Sequence, residues 1–188
     1  MDAVTLKRIE TAHPKVRDEL KKIYGEICLA LNGRAMCRFA FVLRSFAEQA
    51  ALYAQGRETL ASVNAKRKTA GMAPLTAAQN KAKVTNAQAG LSIHNYGLAC
   101  DILLVIDTNK DGKFETASWD TKSDFDGDGV SDWMEVVAIF KKYGWGWGGD
   151  WKSFKDLPHF EKTFGYKASD LLLKHRNKQV DAEGYVLI

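Results

Sequence analysis

Apolar positions recur along this chain with two spacings, one suited to helices and one to strands. Behind His13-Pro14, the side chains Val16, Leu20, Ile23, Ile27 and Leu31 fall on one face of a predicted helix that Gly33 stops. Proline suits the first helical position, where its missing N–H is not needed. Residues 36–43 form a short apolar run suited to a buried strand, and residues 47–55 read as a helix stopped by Gly56. Residues 57–90 are basic and rich in Ala, Asn, Gln and Thr, and they predict a loop broken at most by one short helix. The strongest strand signal is LACDILLVI at 98–106, followed by a structured loop at 107–132 punctuated by Asp, Gly and Asn. A helix at 133–143 with Gly144 as its stop, strands at 145–147 and 159–164, and a short helix at 168–175 complete the pattern.

Helices and strands mix without regular alternation, so the expected class is α+β rather than a doubly wound sheet. A chain of 188 residues with 46% hydrophobic content can bury one sizeable core. No linker-like tract divides it, so one domain over 1–188 is expected, monomeric in solution. No run approaches the roughly 20 apolar residues of a membrane span, which argues against stable membrane insertion. The segment MDAVTLKRIETAHPKVRDELKK lacks the apolar core and small-residue cleavage site of a signal peptide, so the expected location is a cytoplasm, until another agent releases the protein. Cys28, Cys37 and Cys100 are odd in number, form no CxxC pair and sit among apolar residues; they are expected to be small core residues. His13 and His175 are expected on the surface.

Charge is segregated behind the net +4. Residues 1–90 carry 15 Lys and Arg against 7 Asp and Glu, a net of +8, whereas residues 107–135 carry 3 against 9, a net of −6. The basic half could attract polyanions such as nucleic acid or anionic cell-envelope polymers. Nucleic-acid binding would explain that half but neither of the patterns below, so no nucleic-acid partner is expected.

Two segments carry candidate chemistry. In Ser92-Ile-His94-Asn-Tyr-Gly97-Leu-Ala-Cys-Asp101, a histidine in a glycine-containing loop precedes an aspartate inside a strand. In Asp156-Leu-Pro-His159-Phe-Glu161, a proline favours extended backbone just before a second histidine. Two imidazoles and one carboxylate make a three-ligand zinc site with a position left open, the mark of a catalytic zinc. Such chemistry needs a carboxylate to move the proton of water to the leaving amine. Asp156 is the best candidate and Glu161 the second, since two residues past His159 in a strand it shares that side.

The string formed by Ser92, His94, Gly97, Ala99 and Asp101 resembles the zinc motif of the D-alanyl-D-alanine carboxypeptidase and VanY-type peptidases, and the stretch 145–161 resembles their second motif. More narrowly, the pattern is similar to phage endolysins that act as L-alanyl-D-glutamate peptidases. Arg44, Ser45, Gln49, Tyr53 and Arg57 join the likeness, which covers roughly residues 36–165 with an insertion at 107–132. The resemblance implies zinc on His94, Asp101 and His159, with Asp156 as base. It also implies that Arg44 stabilises the oxyanion, and that Ser92 bonds to substrate or supports a ligand. Aspartate at 156 matches the endolysin branch, where many carboxypeptidase relatives have glutamate. The implied fold is the small antiparallel sheet with flanking helices shared with the hedgehog signalling domain. The implied activity is hydrolysis of the L-Ala-D-Glu bond of peptidoglycan during host lysis, with D-Ala-D-Ala carboxypeptidase or dipeptidase action as the alternative. A calcium-binding module with a dead zinc site is the reading from another class.

The acidic insertion matches the calcium-loop template. Asp124, Asp126, Asp128 and Asp132 offer oxygens, Gly129 allows the turn, Val130 offers a carbonyl, and Glu135 closes the loop. Ser131 departs from the template, since paired loops usually carry an apolar residue there. Upstream, Asp107, Asn109 and Asp111 begin the same pattern as a possible second calcium loop, but Ser118 stands where its closing carboxylate should be. Calcium on the 107–135 insertion is expected to order it.

Overall fold

The computed structural model describes residues 1–188. The chain packs as two units, Met1–Val42 with Leu98–Lys162 and Leu43–Gly97 with Thr163–Ile188. The first holds the whole five-stranded sheet. Its strands are β1 (Ala35–Phe41), β2 (Ala99–Ile106), β3 (Thr116–Ser118), β4 (Gly146–Trp147) and β5 (His159–Glu161). Their order is β1-β2-β5-β4, with β3 pairing β2 as well, and every pairing is antiparallel. The apolar run predicted as the strongest strand is the central one, buried along most of its length as its near-continuous hydrophobicity requires. The pairing of β1 with β2 is regular from Ala35↔Ile106 to Phe39↔Ile102, then shifts so that Phe41 lies opposite Asp101. A shift of this kind kinks the local ladder.

The helices of this unit are α1 (Ala3–Ile9), α2 (Pro14–Ala30) and α5 (Asp132–Lys142). The predicted apolar stripe of α2 is its buried face: Val16, Leu20, Ile23 and Ile27 are fully buried, together with Tyr24. Helix α5 buries Trp133, Val136, Val137 and Phe140. The Phe140 ring stacks on Phe160 of β5 with centroids 4.1 Å apart and also meets Trp145 and Phe39. Helix α1 was not expected. Asp2 caps it by accepting from the Thr5 N–H, and Arg38 of β1 binds the same carboxylate through two nitrogens at 3.0 and 3.1 Å.

The second unit contains α3 (Phe46–Ala54), α4 (Leu60–Thr69) and α6 (Ala168–Arg176). Ser45 and Glu48 form a reciprocal capping box at the start of α3. Helix α4 is the short helix allowed for in the basic stretch, capped by Thr59 and burying only Val63. Gly56, at φ +72°, approaches the Ala82–Lys83 peptide so closely that a Cβ there would lie 2.7 Å from backbone atoms.

Several sequence expectations are corrected. His13 is 5% exposed, not on the surface; its Nδ1 accepts from the Lys15 N–H at the start of α2. Cys28 is half-buried, while Cys37 and Cys100 are buried as expected. The last strand ends at Glu161, short of the predicted 164, and a two-residue β4 stands where three residues were predicted. The 107–132 loop contains β3. No helix is long and apolar enough to cross a membrane.

Candidate metal and catalytic site

Asp101 and His159 owe their closeness to strand register. Asp101 on β2 pairs directly with His159, the first residue of β5. Their side chains meet at 3.0 Å, Nδ1 to Oδ1, and Nε2 of the same ring lies 3.1 Å from Oε2 of Glu161. Burial alone would lower the pKa of this imidazole, but the hydrogen bonds with Asp101 and Glu161 outweigh it and raise the value to about 9. A buried ring is thus flanked by two carboxylates, a setting of negative charge.

His94 lies in a one-turn 3-10 helix, Ile93–Tyr96, that Gly97 ends in the left-handed region at φ +68°. Glycine is suited to that conformation, and β2 begins two residues later. His94 and His159 are both buried, and with Asp101 they supply nitrogen and oxygen donors. This nitrogen and oxygen donor set suits zinc, for which His and Asp are ordinary ligands.

Asp156 is held by its own loop. Its N–H donates to the Gly148 carbonyl at 3.2 Å, and its carbonyl accepts from the His159 N–H at 3.1 Å. The Trp147 indole N–H donates to the Leu157 carbonyl at 2.7 Å, and the Pro158 carbonyl accepts from Ile102 of β2. Gly148 has no room for a side chain: a Cβ there would sit 2.3 Å from the Asp156 carbonyl oxygen. Glu161, the second candidate for the base, is engaged with His159.

Arg44 follows Val42 and Leu43 beyond β1. Its Nη1 donates to Oε1 of Gln49 at 3.0 Å, and Gln49, fully buried in α3, donates in turn to the Ala87 carbonyl at 2.7 Å. Asn95 holds the same segment: its Nδ2 donates to the Arg44 carbonyl at 2.8 Å, and the Arg44 N–H donates to the His94 carbonyl. The peptide groups of Arg44 and His94 are therefore tied directly. Ser92 is buried just before the 3-10 turn, its carbonyl accepting from Asn95.

Three neighbours of these groups had no role assigned from sequence. Gln49 stood in the resemblance as a matching letter, and only the structure gives it Arg44 as a partner. Asn95 sits inside the first motif, and its side-chain bonds reach back some fifty positions, to a carbonyl no local pattern points to. Trp151 lies in the second motif, and its ring centroid is 5.1 Å from that of His159.

In the acidic insertion, Asp124, Asp126 and Asp128 gather with carboxylate oxygens within 4.8 Å. Asp124 accepts from the N–H groups of Gly127 and Gly129, Asp126 from Asp128, and Asp128 from Val130. Burial, followed by the charges of Asp128, Asp126, Asp132 and Asp124, pushes the Glu135 carboxyl up to about 7. The earlier segment is turned by bonds of the same kind, with Asp111 accepting from Lys113 as Asp128 does from Val130. Asp107 accepts from Asp111 and Gly112, Asn109 accepts from Asp111, and the Glu115 carboxylate takes the Thr108 hydroxyl.

The comparisons with known proteins fall on this same part of the chain. Residues 85–162 match the D-alanyl-D-alanine carboxypeptidase family model. That span contains His94, Asp101, Asp156 and His159, and it also takes in the acidic insertion. The peptidoglycan L-alanyl-D-glutamate endopeptidase CwlK of Bacillus subtilis (strain 168) is 43% identical over 118 residues, which are 63% of this chain and 55% of that protein. The chain thus spans about half the length of that curated relative. Superposition on the crystal structure of the Serratia marcescens L-Ala D-Glu endopeptidase ChiX gives a TM-score of 0.45 at 22% identity, covering 87% of this chain and 90% of that one.

Proposed function

We propose that this chain is a zinc peptidase that hydrolyses the L-Ala-D-Glu bond in the stem peptides of peptidoglycan. The observation that carries the reading is the register of β2 on β5, which sets the Asp101 carboxylate against the His159 ring inside the span that matches the family model. The 43% identity to an enzyme named for that bond supports the choice of substrate. His94, Asp101 and His159 would hold the metal. A zinc ion there supplies a Lewis acid that polarises a carbonyl and lowers the pKa of a water.

The chain's own residues do the rest. Asp156, fixed by backbone bonds at both its N–H and its carbonyl, takes the proton of the attacking water and delivers it to the leaving amine nitrogen. Arg44, oriented by Gln49, offers its guanidinium to the oxyanion that develops on the scissile carbonyl. Glu161 keeps the His159 ring in position through its hydrogen bond. Trp151 covers that ring and limits its rotation.

Mass spectrometry of peptidoglycan digested by the zinc-supplied protein tests this. Released peptides with a new N-terminal D-Glu, and free L-Ala termini left on the glycan, are the expected products. Loss of terminal D-Ala alone would move the protein to the carboxypeptidase activity for which the matching family is described. Intact stem peptides would overturn the enzymatic reading.

A further inference from the structure

We propose that the loop 124–135 is a calcium site, independent of the His94–Asp101–His159 cluster and filled whether or not the chain is a peptidase. Three exposed or half-exposed aspartates close together would not by themselves make a site. The deciding side chain is Asp132. It is 0% exposed; its Oδ1 accepts the Phe125 N–H at 2.8 Å, and its Oδ2 meets no donor at all. Phe125 stands between Asp124 and Asp126, so that bond turns the buried carboxylate onto the acidic cluster. Three residues on, Oε2 of Glu135 is also buried and without a donor. An unpaired carboxylate oxygen out of contact with water is costly unless a cation meets it.

The donor set selects the ion. Asp124, Asp126, Asp128, Asp132 and Glu135 offer only carboxylate oxygens, and Val130 can add its carbonyl. Six to eight oxygens in a flexible arrangement suit calcium, whereas zinc favours the nitrogen and sulfur ligands this loop lacks. Gly129, at φ +93°, makes the sharp turn between the two halves of the loop. The departure at Ser131 has a local explanation. Its hydroxyl donates to the Thr121 carbonyl at 2.8 Å, and the Asp132 N–H donates to the Ser123 carbonyl. The chain just before the loop therefore braces it where a second loop would otherwise pair.

Isothermal titration of the metal-stripped full chain with calcium chloride tests the proposal, with thermal melting alongside. One calcium is expected to bind with a dissociation constant on the order of 10⁻⁷–10⁻⁵ M, the range of sensor loops. Glu135→Gln should weaken binding at least ~10-fold, because it removes the bidentate closing ligand. His94→Ala should leave calcium binding unchanged. Asp132→Asn should weaken calcium binding yet raise the melting temperature of the calcium-free protein, because it neutralises the orphaned buried oxygen. Absence of binding heat would overturn the proposal, as would magnesium binding as tightly as calcium. Calcium binding lost in His94→Ala but kept in Glu135→Gln would overturn it too, by moving the ion to the other cluster.

Discussion

Asp156 is a short side chain whose usefulness depends on backbone bonds around it. Asp156→Ala removes only the proton carrier, so turnover should fall by about 10²–10⁴-fold while bound zinc, measured by atomic absorption, stays at the level of the unaltered protein. Near-normal turnover would transfer the role to Glu161. Gln49 is a positioning residue, since it acts through Arg44. Gln49→Leu strands the Ala87 carbonyl and removes an acceptor from the guanidinium, which should cost about 1–3 kcal/mol of stability in denaturant titrations. Gln49→Glu keeps an acceptor for Arg44 and should retain more turnover than the leucine variant; equal turnover in the two would separate the orientation of Arg44 from the rate. His94, Asp101, Asp156 and His159 could be singled out from sequence because each lies in a short segment whose spacing constrains it. The partners Gln49, Asn95 and Trp151 were not visible in these roles, because each is defined by a contact with a residue from a different element or turn.

Elements with a continuous apolar stripe or run were the most legible, and helix α1, which lacks one, was missed. Helix α2 and strand β2 announce themselves through residues that are buried in the fold. Helix α1 has just Thr5 and Ile9 buried, and what fixes it is a cap on Asp2 that also serves a strand far along the chain. Strand β4, expected at 145–147, is present over two of those residues. The turn that carries Asp156 depends on Gly148, where a methyl group has nowhere to go. Gly148→Ala should leave the far-ultraviolet circular dichroism unchanged and lower turnover by at least ~10-fold, because the displaced atom is the carbonyl of Asp156 itself. A variant as active as the parent would show that this loop can shift without moving the carboxylate that matters.

For the molecule as a whole, acid stability should depend on the N-terminal anchor. Burial disfavours ionisation of Asp2, but hydrogen bonds from Arg38 and Thr5 outweigh it and hold the carboxyl below its ordinary value. The stabilisation is therefore present above the unfolded pKa of about 3.9 and fades as pH falls through the lower folded value. Asp2→Asn should lower stability by about 1–2 kcal/mol at neutral pH, the cost of a weakened cap and a lost ion pair. Melting curves recorded from pH 7 down to pH 2 should converge for the two proteins at the acid end, and a constant gap would assign the loss to packing alone. The single-domain expectation rested on the lack of a linker, and a linker is not what separates the two packing units: each is assembled from two stretches that alternate along the chain.

The central strand has consequences for synthesis. Asp101 leaves the ribosome 58 residues before His159, the partner its register requires. Until β5 arrives, the edge of β2 from Ala99 to Asp101 has no strand on that side, and the Asp101 carboxylate has no imidazole opposite it. A nascent or prematurely terminated chain therefore carries half of the pair and an open hydrogen-bonding edge, a form that chaperones can hold and proteases can remove. The Asp101–His159 pair is complete only once the last strand docks.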